Sequence, residues 1–158
     1  MQSRTVPMTP EGLIKLKDEL KNIREVERPK NVRDIEEARG HGDLSENAEY
    51  HAAKEKQGLI EARMVELEDK IRRAEVIDPK KIKSERISFG AFVTLSNQDS
   101  GEEVSYRIVG PDEADLKQKT ISVDSPIARA LIGREPGDEV QVRTPGGVRR
   151  YEIVDFSY

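Results

Sequence analysis

Apolar residues recur every third or fourth position along the first half of the chain. Leu13, Leu16, Leu20 and Ile23 form a narrow stripe, and Val32, Ile35 and Ala38 continue it. A second stripe follows at Tyr50, Ala53, Gln57, Ile60, Met64, Leu67, Ile71 and Ala74, with spacings alternating between 3 and 4. That is a heptad seam, the apolar edge of a coiled-coil helix. Thr9 can cap the first helix, Pro10 fits its first position and Glu11 suits the positive end of its dipole. Arg28-Pro29 predicts a kink or short interruption, because proline removes a ladder hydrogen bond. Gly40 and Gly42 end the first stripe, and the second helix is expected to start near Ser45 or Glu46 and run to about Ala74. Two such helices joined by a few residues form an antiparallel hairpin. From Thr9 to Asp43 the arm would be about 50 Å long, a length suited to reaching into something.

From Asp78-Pro79 the rhythm changes. "ISFGAFVTLSN", "EEVSYRIVG", "TISVD", "EVQVRT" and "RRYEIVDF" are short, partly alternating, β-branched runs separated by turn residues. "SPIARALIG" lies between the third and fourth, with Ser125 as helix cap, Pro126 at the first helical position and Gly133 at the end. "TPGG" at 144–147 reads as a hairpin turn. The chain therefore divides into a coiled-coil hairpin over 1–77 with an acidic tip near 41–47, a linker at 78–84, and a β-rich α+β domain over 85–158.

Composition narrows the function classes. Of 158 residues, 37% are charged and 4% aromatic, which suits long solvated helices better than one large core. The net charge is −4, and both halves are slightly acidic. Neither half grips nucleic acid by counterion release alone. Without cysteine there are no disulfides or thiolate metal sites. No apolar run approaches the ~20 residues of a membrane span, and "MQSRTVPMTP" lacks a secretory apolar region. The expected compartment is the cytoplasm, with no membrane partner. His41 and His51, the two histidines, leave little for a histidine-based metal site or triad.

The bend "GHGDLSENAEY" admits two readings. Asp43 and Glu46 can form a D-x-x-E capping box for the second helix, both at the positive end of its dipole. Yet a stable turn does not explain having a long arm. The bend is small and polar on both sides, so its acids face outward. Carboxylates without His or Cys suit a hard divalent ion such as Mg²⁺, often held by one or two carboxylates plus substrate phosphates. An exposed pair would bind it poorly alone, which points to a site shared with another molecule.

"GDLSENAEY" between long hairpin helices, followed by "ISVDSPIARALIG" and "TPGG", resembles the Gre transcript cleavage factors of bacteria. "AEYHAAKEKQ" is closer to the GreA branch than to GreB. The resemblance spans essentially the whole chain. It implies an N-terminal antiparallel coiled coil and a C-terminal FKBP-like α+β domain that docks on the rim of the RNA polymerase secondary channel. It implies that the coiled coil reaches the active centre of a backtracked complex. There Asp43 and Glu46 would help hold a second Mg²⁺, shared with the polymerase and bound weakly by the free protein. Hydrolysis of the nascent RNA would leave a new 3′ end. On this reading the protein is not itself an enzyme but a monomeric accessory factor. Asp43 would be a direct ligand or orient a water, Glu46 can act through water, and Ser45 either binds a water or caps the helix. Asn47 and Glu49 belong to the motif, with helix surface the plainer reading. Tyr50, on the seam, reads as packing ahead of RNA contact. His41 fits a helix C-terminus. The polymerase contact maps onto Asp124, Ser125 and Pro126, of which the last two cap a helix in any case. Arg24, Arg28, Lys30 and Arg33 are candidates for RNA phosphate, against the plainer reading of a solvated face interleaved with Glu25 and Glu27.

Three other readings remain open from sequence. Some Gre homologues occupy the channel and inhibit without cleaving, with different acidic patterns at the tip. A prolyl isomerase would need an aromatic-lined pocket, and from residue 80 onward the aromatics are Phe89, Phe92, Tyr106, Tyr151, Phe156 and Tyr158. An intermolecular coiled-coil dimer is disfavoured by Arg28-Pro29 and the glycines at the bend.

Overall fold

The first stripe folds as one helical run in a computed structural model that describes residues 4–43, 46–82 and 84–158. Helix α1 (Pro10–Asn22) passes into a π-helical turn (Ile23–Glu27), which passes into α2 (Arg28–Arg39). The Arg28 N–H donates to the Ile23 carbonyl, five residues back. The interruption expected at Arg28-Pro29 thus takes the form of a widened turn just ahead of the proline. Such a turn accommodates a residue that lacks an N–H and crowds the preceding carbonyls.

Past the π turn, the stripe falls on different residues from those expected. Val32 is 44% exposed, whereas Asn31 is 2% exposed and shares the buried face with Ile35 and Ala38. The placement of Val32 on the stripe is therefore corrected: a π turn takes up more residues than an α turn, so a count at 3.6 per turn no longer holds across it. Asn31 is satisfied across the hairpin, its Nδ2 donating to the Ala53 carbonyl at 3.0 Å.

The second stripe runs along α3 (Ala48–Arg73), and every seam position is buried or half-buried, with Ile60, Met64 and Leu67 at its centre. Ion pairs cross the hairpin at Glu19–Arg63 (2.8 Å), Arg24–Glu68 (2.7 Å) and Arg28–Glu61 (3.2 Å). From Arg24–Glu68 through Arg28–Glu61 to Asn31–Ala53, rising numbers pair with falling ones, so the helices are antiparallel. Glu19 binds Arg63 through both carboxylate oxygens and thereby pushes the guanidinium pKa further up.

The chain divides into two compact units, Leu13–Arg73 and a second made of Met1–Gly12 with Ala74–Tyr158. Strand β1 (Val6–Met8) pairs in parallel with β2 (Ala74–Val76), so residues flanking the hairpin belong to the second unit. Its main sheet has the order β5-β4-β3-β7-β6, built from β3 (Phe92–Asn97), β4 (Glu103–Val109), β5 (Thr120–Ser122), β6 (Glu139–Thr144) and β7 (Gly147–Ser157). Only β4 and β5 run parallel; the other neighbours are antiparallel. The "TPGG" turn closes β6 onto β7 with Thr144 opposite Gly147, and Gly147 has φ 117°, a left-handed backbone that suits glycine. Helix α4 (Pro126–Leu131) covers one face, where Ala128 and Leu131 meet Val93, Leu95, Ile108, Val142, Tyr151 and Ile153.

The first turn of α1 belongs to this second unit. Thr9 caps it as expected, its hydroxyl accepting from the Gly12 N–H at 3.1 Å. A Glu113 carboxylate then caps the cap. It accepts the Thr9 N–H at 2.7 Å, the Gly110 N–H at 3.0 Å and the Thr9 hydroxyl. A Cβ at Gly110 would collide with the Pro7 carbonyl oxygen, and one at Gly12 with Glu113. Both glycines therefore permit this close approach.

Candidate functional site

At the turn of the hairpin, α2 ends at Arg39 and the Gly40 and His41 N–H groups donate back to Glu37 and Ala38 carbonyls. Gly42 then takes φ 108°, which a side chain would resist. Asp43 and Glu46 follow, both exposed. Ser45 lies outside the described residues.

The helix cap is not where the D-x-x-E pattern put it. Helix α3 begins at Ala48, and Asn47 is its cap: Asn47 Oδ1 accepts the Tyr50 N–H at 3.0 Å, and the His51 N–H donates to the Asn47 carbonyl at 3.1 Å. Asp43 is too far ahead in the chain for the free N–H groups of this first turn, so its assignment as cap is corrected. Asn47 also reaches across the turn, its Nδ2 donating to the Ala38 carbonyl at 2.6 Å. Reading Asn47 as plain helix surface missed this. The available signal was an asparagine, a strong N-cap residue, three positions before the first seam residue Tyr50.

The neighbours of the acids are also arranged. His41 Nδ1 pairs with Glu49 at 3.1 Å, joining the end of one helix to the start of the next. Tyr50 is half-buried, with the Arg39 guanidinium 6.0 Å from its ring centre and the His51 ring edge-on at 5.7 Å. This agrees with packing near the tip. Arg24 and Arg28 are engaged by Glu68 and Glu61 across the hairpin, whereas Lys30 and Arg33 are exposed and have no ion pair among the described residues. Of the four basic candidates, only those two present an uncommitted charge.

No group of three or more His, Asp or Glu side chains that could hold a metal occurs among the described residues. The tip offers two hard oxygen donors, a donor type that fits Mg²⁺ but only part of its shell.

In the second unit, Asp124 is exposed just ahead of α4 and Pro126 is its first residue. Ser125 caps that helix, its Oγ accepting the Ala128 N–H at 3.2 Å, as expected of it regardless of any partner. Beside them lies an open groove of about 320 Å³, lined by Leu116, Ile121, Ser122, Ser125 and Ile127 among others and without an aromatic side chain. The aromatics are spread elsewhere: Tyr151 is in the core, Phe89 is buried, and Phe92 is exposed with the Arg107 guanidinium 4.9 Å from its ring centre. Among the described residues, no helix is long and apolar enough to cross a membrane.

Known proteins resemble this chain along nearly its whole length. A family model described as "Transcription elongation factor, N-terminal" matches residues 6–76, and one described as "Transcription elongation factor, GreA/GreB, C-term" matches residues 82–158. Transcription elongation factor GreA of Anaeromyxobacter sp. (strain K) is 61% identical over 153 residues, covering 97% of this chain and 92% of that protein. Its counterpart from Phenylobacterium zucineum (strain HLK1) is 59% identical, covering 97% and 98%. Among solved structures, the GreA factor homolog 1 protein of Thermus thermophilus is 31% identical, covers 98% of this chain and 100% of that one, and aligns with a TM-score of 0.45. With both halves matched in order by the two family models, the chain belongs to the GreA/GreB family of transcription elongation factors.

Proposed function

We propose that this protein inserts its helical hairpin into the secondary channel of bacterial RNA polymerase and stimulates cleavage of backtracked nascent RNA. One observation carries the reading. Asp43 and Glu46 stand exposed at the turn of a long antiparallel hairpin, while the helix ends on either side are tied to each other. The tie limits the conformational freedom that a shared site would otherwise remove on assembly.

Asp43 and Glu46 present hard oxygen donors, and the polymerase supplies the rest of the shell. When bound, Mg²⁺ supplies charge stabilisation at the scissile phosphate and lowers the pKa of the attacking water. The protein's own part is positional: the hairpin delivers the two carboxylates, and Lys30 and Arg33 offer charge to RNA phosphate. Docking on the channel rim falls to Asp124, with Ser125 and Pro126 fixing the start of α4 beside it. The factor acts in the cytoplasm as a monomer and is not an enzyme without the polymerase.

The test is a stalled, backtracked bacterial polymerase incubated with the protein and Mg²⁺. The expected outcome is a shortened RNA that the polymerase extends again. Asp43→Asn and Glu46→Gln should each remove this cleavage while the protein still competes for the polymerase. Asp124→Ala should raise the concentration needed for half-maximal cleavage without changing the rate at saturation. A wild-type protein that blocks extension and leaves the RNA uncut would replace this reading with that of a channel-occupying inhibitor.

A further inference from the structure

The pair Asp43 and Glu46 sits between residues 38 and 47, and one side chain spans that interval. Helix α2 leaves the carbonyls of its last turn without helical partners, and α3 leaves its first N–H groups without them. Asn47 serves both ends: it satisfies one such N–H of α3, and it adds a second donor to the Ala38 carbonyl, which already accepts the His41 N–H. Its Oδ1 accepts the Tyr50 N–H of α3 at 3.0 Å, and its Nδ2 donates to the Ala38 carbonyl of α2 at 2.6 Å. A carboxylate at this position could accept but not donate, and a hydroxyl is too short to span both partners. Asparagine holds an acceptor and a donor in one rigid plane at this length.

We propose that Asn47 is a positioning residue for the tip acids: its amide clasps the two helix ends together and so fixes the separation of Asp43 and Glu46. The inference rests on the cleavage reading above. Asn47 offers no charge and touches neither RNA nor metal in this role. It acts through the backbone at Ala38 and Tyr50. A shared site is sensitive to such placement, since misplacing a group by about 1 Å can cost on the order of a hundredfold in rate.

Asp and Ala substitutions separate clasping from simple capping. Asn47→Asp keeps the cap, because a carboxylate accepts the Tyr50 N–H, but it loses the donor to Ala38. Asn47→Ala loses both. With a backtracked polymerase at saturating factor, both variants should cleave RNA about tenfold to a hundredfold more slowly than wild type. The factor concentration giving half-maximal cleavage should not change. Circular dichroism should show Asn47→Asp as helical as wild type. In the free protein, the Asn47 side-chain amide protons should exchange with solvent more slowly than those of an exposed asparagine such as Asn22. If Asn47→Asp cleaves like wild type while Asn47→Ala does not, the residue only caps α3 and the clasp is overturned. Fast exchange of the Asn47 amide also overturns it. A wild-type protein that does not cleave at all overturns the functional reading instead, a result the amide exchange does not mimic.

Discussion

Two carboxylate settings in this molecule are opposites. At the first turn of α1, Glu113 is saturated: two backbone N–H groups and the Thr9 hydroxyl all donate to it, and Thr9 is buried. At the turn of the hairpin, Asp43 and Glu46 are exposed, and the local capping is done by Asn47 instead. Glu113 is structural because fixed backbone and hydroxyl donors hold it between two segments. The tip acids differ in being exposed, with the cap of α3 supplied by a neutral amide. Asn47 relieves Asp43 of the capping role that the sequence pattern would have given it.

The comparison breaks first at the tip. If the tip acids act as proposed, removing either carboxylate charge should cost several kcal/mol of transition-state stabilisation, hence about two orders of magnitude or more in cleavage rate. Because Asn47 holds the cap, Asp43→Asn and Glu46→Gln should leave thermal unfolding nearly unchanged. If either variant melts several degrees lower, the tip acids have a structural share and the contrast with Glu113 weakens.

The opposite result is expected for Glu113→Ala. It leaves the Thr9 and Gly110 N–H groups without an acceptor, and each such loss costs about 1–3 kcal/mol. The expected destabilisation of the second unit is therefore roughly 3 kcal/mol, readable by denaturant unfolding. Glu113→Gln should recover most of it. One oxygen, Oε2, takes both backbone N–H groups, so an amide oxygen can replace it. The other, Oε1, faces only the Thr9 hydroxyl, which can reverse roles and accept from the amide nitrogen. A Gln variant as unstable as Ala would mean the charge itself, at the positive end of α1, carries the interaction.

These two settings also mark what local sequence reasoning reached. The seam of α3 was legible because its period of 3 and 4 is unbroken from Tyr50 to Ile71. The five β runs, the Ser125 cap and the "TPGG" turn were legible because each signal lies within a few residues. Glu113 was not, since its partner Thr9 is 104 residues away. Nor was the pairing of β1 with β2, three residues each and joined only by the return of the hairpin. At the tip, D-x-x-E matched a known capping pattern and drew attention from Asn47. Only the observed helix start at Ala48 decides between them. The basic candidates divided for a similar reason: Arg24 and Arg28 find acids on the partner helix, which no linear pattern along their own helical run reveals.

Asn31 gives the smallest expected effect and sharpens the comparison most finely. It is more deeply buried than the half-buried Glu113, yet a single cross-hairpin bond is seen for its amide nitrogen, to the Ala53 carbonyl. That carbonyl lies within α3, where a helical N–H four residues on already serves it. Replacing Asn31 by Leu therefore leaves no orphaned acceptor, and it extends the apolar seam toward Ile35 and Ala38. The desolvated amide is lost and a buried side chain is gained, two terms that nearly cancel or favour leucine. Thermal unfolding of Asn31→Leu should thus match wild type to within about 1 kcal/mol, on the stabilising side. What should suffer is specificity, because a buried polar residue on a helical seam penalises wrong registers and wrong partners. Sedimentation at rising concentration should then show more self-association for Asn31→Leu than for wild type. Marked destabilisation without association would place Asn31 beside Glu113, as a group that the fold needs in place.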